Sequence, residues 1–379
     1  MKIKVIHLPT SVGGNPQGIS KHLNEIGMES ETWILQQNYF NYTADRVLSS
    51  KNSPLILQEV QKIFSLIYIL RCDIVFFNYG RGLFVPYVAL NFHKHRGIKK
   101  ILLLIYAFYS KTMAHLEVFA LSLLKKQIFI QYQGDDARQG DYCKKNFEVT
   151  TANNVDENYY SMSGDIARRN NIKFYSRRAA KIYSLNPDLM HVLPSSTEFL
   201  PYSHISLQDW APIYNQLEER PLRIGHAPSH RGFKGTNTIL TALENLAKKN
   251  YQFELILIEG KSNVEAKEIY KSVDIFIDQI FAGWYGGLAL EVMALGKPVI
   301  AYIREADLRF IPEDMAIDLP VIRANPKNIE SVVEELLNTP RERLLLMAKE
   351  SRRFVEKWHN PAVIAERIKN DMQIAMDSK

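Results

Sequence analysis

The feature that most restricts this chain is alternation. Short apolar runs rich in Val, Ile and Phe recur along it, each followed by a longer stretch with helical spacing. Parallel strands need crossovers, and strands buried on both faces read as continuous apolar runs, so the pattern points to parallel sheets covered by helices. In the first half, KIKVIHLP, TWILQ, CDIVFFNYG, KKQIFIQYQG and AAKIYSLN read as strands, with a helix near 18–28. In the second half, LRIGHAP, FELILIEG, VDIFIDQ and KPVIAYI do so. Helices there fill 235–249, 262–272, 286–296, 327–338 and 340–379. The Pro- and Ser-bearing stretch 194–221 reads as a linker between the two series.

A chain of 379 residues exceeds one ordinary core, so two doubly wound α/β domains are expected. The sequence places the first at 1–205, the second at 206–360 and a C-terminal helix at 361–379 that returns to the first domain. Composition adds exclusions. The net charge of +6 fits an acidic ligand or an anionic membrane surface, and no compact Lys/Arg tract with interleaved aromatics suggests nucleic acid. Cys72 and Cys143 offer neither a disulfide framework nor metal-ligand spacing. Lys111, His115 and Glu117 interrupt the most apolar stretch, 101–126, which reads as a buried helix rather than a membrane span. The start MKIKVIHLPT is a strand, not a secretory signal. A cytoplasmic protein, soluble or peripherally attached to the inner face of a membrane, is the expectation. Basic runs at 168–181, 93–96, Lys99-Lys100 and Lys125-Lys126 are solvated faces or contacts to anionic lipid.

Ligands of open parallel sheets sit beyond the carboxyl ends of the strands. The chemistry is therefore expected in 9–18, 79–84, 132–138, 226–235, 259–263 and 278–291. HAPSHRGFKGT, residues 226–236, lacks the spacing of a Walker loop. It does place Arg231, Lys234 and Gly235 between a strand and a helix start, where a guanidinium fork, an ammonium and unpaired backbone N–H groups suit a diphosphate. In DIFIDQIFAGWYGGLALEVMALGKPVIAYI, residues 274–303, Gly286 and Gly287 let a ligand approach a helix N-terminus. Glu291 stands among apolar neighbours on that helix and needs hydrogen-bond donors, for which ribose hydroxyls are suitable.

Residues 222–303 resemble the donor-binding domain of the GT-B glycosyltransferases, in particular the large retaining family that uses nucleotide sugars. In that family an Arg and a Lys-Gly follow the first strand of the second domain, and Arg231 and Lys234-Gly235 match them. The resemblance implies two Rossmann-like domains facing across a cleft. It also implies a nucleotide-sugar donor, a saccharide or lipid-linked saccharide acceptor in bacterial surface polysaccharide or glycoconjugate synthesis, and neither a cofactor nor a metal. Arg231 and Lys234 would bind the donor diphosphate, Gly286 and Gly287 would meet diphosphate and sugar, Glu291 would take the ribose, and Glu259 would lie near the base. The family's first glutamate, separated from its second by seven residues, is absent, because Gly283 stands there; Asp278, Trp284 or Tyr285 are the candidates to replace it.

The first half resembles the family more loosely. Gly13-Gly14 match its glycine loop. YQGDD, residues 132–136, stands where it carries His-Gly-x-Asp, so Gln133 replaces the His and Asp136 keeps the Asp. Gln133, Asp135 and Arg81 are acceptor-side candidates, and Asp136 is assigned a catalytic polar role with Arg231 and Lys234. Two other classes stay open on sequence. One is a nucleotide-sugar epimerase of the same fold using His226, His230, Asp135 and Asp136 as acids and bases. The other is an inactive nucleotide or sugar binder.

Overall fold

A computed structural model describes residues 2–37, 42–90 and 97–378; the basic run 93–96 lies outside them. In chain order the first elements are β1 (Lys4–Leu8), α1 (Asn15–Glu25), β2 (Glu29–Ile34), β3 (Arg46–Val47), α2 (Leu55–Ile69), β4 (Ile74–Asn78), α3 (Ile98–Leu123), β5 (Gln127–Tyr132), α4 (Gly140–Asn146), α5 (Met162–Ser176), β6 (Lys181–Ser184) and β7 (Glu198–Phe199). There follow β8 (Leu222–His226), α6 (Arg231–Lys234), α7 (Thr236–Lys248), β9 (Phe253–Leu257), α8 (Asn263–Lys271), β10 (Ile275–Ile277), α9 (Gly287–Ala294), β11 (Val299–Ala301), α10 (Glu313–Asp318), β12 (Ile322–Arg323), α11 (Ile329–Leu337), α12 (Arg341–Trp358) and α13 (Pro361–Asp377).

The strands make two sheets, ordered β3-β2-β1-β4-β5-β6-β7 and β12-β11-β10-β8-β9, with every pairing parallel. Each sheet reverses its strand order once, beside β1 in the first and beside β8 in the second. That reversal opens a crevice at the strands' carboxyl ends.

The first unit comprises Met1–Asp141, Tyr160–His204 and Pro361–Lys379. Its sheet is apolar on both faces. Ile6, Val75, Phe77, Ile128 and Ile130 meet α2, α3 and α5 residues on one side. Val5, Ile74, Phe76, Phe129 and Tyr183 meet α1 and α13 on the other. Proline breaks the predicted terminal helix at 361, and α13 then packs on this unit. Gly18 lets α1 seat closely, because a Cβ there would lie 2.0 Å from the Ser203 carbonyl oxygen.

The second unit comprises Tyr142–Tyr159 and Ile205–Asn360. Its sheet packs Ile224, Ile275, Ile277 and Ile300 against Ile239, Leu243 and Leu246 of α7 and Val333 and Leu336 of α11. The sequence reading put 142–159 in the first domain, and the structure corrects it. Val149 packs on this second core, and the Arg304 guanidinium lies 3.6 Å over the Phe147 ring while donating to the Val149 carbonyl. The expected linker also holds the short edge strand β7 and the buried Leu200 and Ile205.

The stretch 101–126 departs from the expected buried helix. It forms α3, and only 22% of its most apolar part is buried. Its core-facing stripe contains Ala114, Val118 and Leu121, with Glu117 among them. The Glu117 carboxylate accepts from Leu83 N at 2.9 Å and Phe84 N at 3.2 Å, and so ties α3 to the loop after β4. Burial pushes its pKa up to about 7, against the pull of those two N–H groups. The fold thus favours the neutral acid, and this group's contribution to stability falls as pH rises from 4.5 towards 7. Urea midpoints measured across that window should therefore drop for the wild type relative to Glu117→Gln. A wild-type-minus-variant difference that stays flat with pH would show that the group does not titrate there.

Candidate functional site

The second unit gathers most of the donor-side residues at the carboxyl end of its sheet. β8 ends at His226, whose Nδ1 lies 2.7 Å from the Ile277 carbonyl and whose Nε2 lies 2.9 Å from Thr236 Oγ1. Burial lowers its pKa. Both ring nitrogens are engaged in fastening β8 to β10 and α7. His230 accepts from Phe233 N at 3.1 Å through Nδ1 and caps α6. Gly235, at φ +82°, ends α6 and starts α7, and a Cβ there would lie 2.4 Å from Ile280. Only glycine meets both demands without strain.

Lys234 projects into the sheet end with its side chain 9% exposed. Its Nζ lies 2.6 Å from Asp278 Oδ1 and 2.8 Å from Gln279 Oε1. The other Asp278 oxygen accepts from Gly286 N at 2.7 Å, so one fully buried carboxylate joins the ammonium to the N-cap of α9. A Cβ on Gly286 would stand 3.0 Å from Lys234 Nζ. The helix N-terminus and the cation therefore share one small volume, as the sequence suggested. Arg231 is half exposed and makes a two-pronged ion pair with Glu259, at 2.8 and 2.6 Å. Glu291 is buried on α9 and accepts from Asn263 Nδ2, at the start of α8, at 2.9 Å.

The gap left by Gly283 has a local cause. Its φ is +80°, and a Cβ would lie 2.7 Å from Arg304 Nη1, whose guanidinium pairs with Asp307 at 2.8 Å. Trp284 and Tyr285 are both buried, their rings 4.4 Å apart, and the Tyr285 hydroxyl lies 2.8 Å from His359 Nε2. Asp278 is committed to Lys234 and Gly286.

In the first unit, Gly13 and Gly14 have φ of +60° and +73°, and Gly14 is the N-cap of α1. Arg81 comes to the same strand ends, donating from Nη2 to Thr10 Oγ1 at 3.1 Å. Gln133 donates to Gln131 Oε1 at 2.9 Å, and its own Oε1 is buried without a hydrogen bond. Asp135 accepts from Arg138 at 2.9 Å and from the Tyr160 hydroxyl at 2.5 Å. Asp136 holds the turn that follows β5. Its oxygens accept from Gln133 N, at 3.0 and 3.1 Å, and from Gly134 N at 2.7 Å. Desolvation raises its pKa to about 6.

No family model matches the sequence, and comparison with curated proteins also finds no match. Solved structures do match over the whole length. The sucrose-phosphate synthase of Thermosynechococcus elongatus superposes with a TM-score of 0.60 at 12% identity, covering 100% of this chain and 100% of that one. The HepE protein of Anabaena, in complex with UDP-glucose, gives 0.59 at 9% identity over 98% of this chain and 99% of that one. MnaA of S. aureus, with UDP, gives 0.53 at 12% identity over 100% and 97%. The fold is GT-B.

Within this GT-B chain, sequence reasoning missed Asn263, Gln279 and Arg304. Asn263 and Gln279 fall in segments already marked as strand ends, but an amide carries no pattern of its own. Arg304 lies beyond the glycine loop it packs against. The buried pair supplies a stability test. Lys234→Met leaves Asp278 with one backbone donor and no cation, and should cost about 3 kcal/mol in denaturant unfolding. Adding Asp278→Asn to that variant should recover most of the loss. Lys234→Met as stable as the wild type would show that the pair does not hold the loop.

Proposed function

We propose that the chain is a glycosyltransferase that moves a sugar from a nucleoside-diphosphate sugar to a saccharide or lipid-linked saccharide acceptor. The observation that carries this reading is the α9 N-terminus. There Gly286 and the buried Glu291 stand on one short helix and its approach loop, and the Lys234 ammonium of α6 reaches the same loop through Asp278. A diphosphate requires cations and N–H groups, and a ribose requires a carboxylate; the second unit holds both a turn or so apart. Likeness in fold to proteins solved with UDP or UDP-glucose agrees with it.

In this reading the donor diphosphate draws Arg231 away from Glu259, an exchange made easy because that pair is solvent-exposed. Lys234 and the Gly286-Gly287 amides face the bridging and terminal phosphate oxygens, and Glu291 with Asn263 holds the ribose. As the sugar leaves, charge grows on the nucleoside diphosphate, and these groups stabilise it in place of a metal ion. No protein nucleophile is assigned. The leaving phosphate takes the acceptor proton on the face it departs from, and the configuration is retained. Gly13 and Gly14 count with the donor-binding residues, and Arg81, Gln133 and Asp135 with the acceptor side. Asp136 stays outside the reacting set, since its oxygens hold the turn at Gly134. The work is assigned to the cytoplasm, in synthesis of surface polysaccharide or glycoconjugate. The epimerase alternative is not favoured: His226 has both nitrogens bonded, His230 caps α6 through Nδ1, Asp135 is held by Arg138 and Tyr160, and Asp136 by turn amides.

Incubation with UDP- and GDP-sugars and oligosaccharide acceptors should release free nucleoside diphosphate. Arg231→Ala should lower kcat at least about tenfold, as loss of a charged donor to a developing anion does. Glu291→Gln should weaken nucleotide binding roughly tenfold, the effect of one charged hydrogen bond. Nucleotide binding without diphosphate release would favour an inactive binder, and unaltered rates in Arg231→Ala would remove the assignment.

A further inference from the structure

Helix α3 has a second apolar stripe, opposite the one that packs on the core. Ile101, Ile105, Phe108, Leu116, Phe119 and Leu123 recur at spacings of three, four and eight residues, and all are exposed, Phe108 at 74% and Phe119 at 64%. Residues at such spacings lie on one side of an α-helix. Ser110, Ala114, Glu117, Val118 and Leu121 occupy the other side. Helix α2 repeats the arrangement, with Ile56, Val60, Ile63 and Ile67 exposed and Ile69 buried. Leu66 and Tyr68 of α2 and Met113 and Tyr109 of α3 pack on the same core, and Tyr106 of α3 donates to Glu59 of α2 at 3.3 Å. The two helices thus lie in one layer, and both turn their outer apolar sides away from the sheet. Soluble proteins seldom expose a contiguous apolar surface of this kind without a partner.

Charge decides between partners. The two helices contain only two carboxylates, Glu59 and Glu117, and both are buried. Glu59 is further neutralised by Lys62 at 2.7 Å. Among the described residues, the exposed charges on the helices and just past their ends are Arg71, Lys99, Lys100, Lys111 and Lys125. An apolar surface rimmed by cations alone fits an anionic lipid interface. It opposes a second copy of itself, whose rim carries the same sign.

We infer that the outer surface of α2 and α3 seats the first unit on an anionic bilayer, with both helices in the plane of the interface and their apolar side chains among the acyl chains. The 26-residue α3 would then lie for about 39 Å along the membrane rather than across it. Spanning would require stripping Ala114, Val118 and Leu121 from the core and Glu117 from its two N–H donors. This seat differs from the run 168–181, where Arg168 is tied to Asp165 at 2.9 Å and Arg169 to Asp141 at 2.8 Å. The inference does not rest on the donor reading, because its readout is blind to transfer.

The test is co-sedimentation of the full chain with vesicles of phosphatidylcholine alone or of equal parts phosphatidylcholine and phosphatidylglycerol. The wild type should pellet with the mixed vesicles at least about tenfold more than with the neutral ones. Phe108→Glu/Phe119→Glu should reduce the bound fraction at least about tenfold, and Lys99→Glu/Lys100→Glu roughly tenfold. All four side chains are exposed, so an unchanged unfolding temperature is expected and checks that the variants remain folded. Wild type remaining in the supernatant with both vesicle types would overturn the inference. So would a Phe108→Glu/Phe119→Glu chain that pellets like the wild type. Light scattering that shows a wild-type dimer, reduced to monomer by the same double variant and without vesicle binding, would assign the surface to a second copy instead.

Discussion

The contact on which the candidate site depends is the one between Lys234 and Asp278. A carboxylate with no exposure to solvent is stable only when its lone pairs are met. Here they are met by an ammonium from the loop after β8 and by the backbone of the loop before α9. One anion thereby fixes the relative position of a cation and a helix N-terminus that lie far apart in sequence. It also occupies donors that the proposed diphosphate would use. Binding in that reading is therefore a competition between a resident carboxylate and an arriving diphosphate, and Asp278 acts as a placeholder that keeps the donors convergent.

Much of this was legible in the sequence, for physical reasons. Central strands such as IVFFN and QIFIQY carry unbroken apolar runs, IVFF and IFI, because helices cover both their faces. Glu291 stood out because every neighbour on its helix is apolar. Gly235 was marked by its place between a strand and a helix, and the structure adds the nearby Ile280 side chain as its reason. What escaped were contacts whose partners are remote. Asp136 was singled out by its match to the family's His-Gly-x-Asp, and its oxygens accept from the amides of Gln133 and Gly134, a local bond that the resemblance did not signal. Nothing local distinguishes a carboxylate that caps its own loop from one that faces a ligand. The two-residue strands β3, β7 and β12 are too short to leave any periodicity.

The treatment of α3 shows a different limit. Hydrophobic content alone assigned it to the interior, since an apolar helix with interrupting charges is usually a core helix. Its periodicity holds two opposite stripes, and only the neighbours in three dimensions reveal which one is covered. The first unit is thus asymmetric: α1 and α13 complete one face of its sheet, while the helices on the other face remain greasy on their outer side.

The return of α13 has a consequence for biosynthesis. Val5, Ile74, Phe76 and Tyr183 emerge from the ribosome before the second unit, yet Ile364, Ile368 and Met372, which cover them, are made only after it. The amino-terminal unit therefore remains an open-faced sheet throughout translation of the other unit. Nascent chains stalled before residue 361 leave that face of the sheet bare, and loss of the seventeen-residue α13 damages the first unit although it lies beyond the second one in the chain.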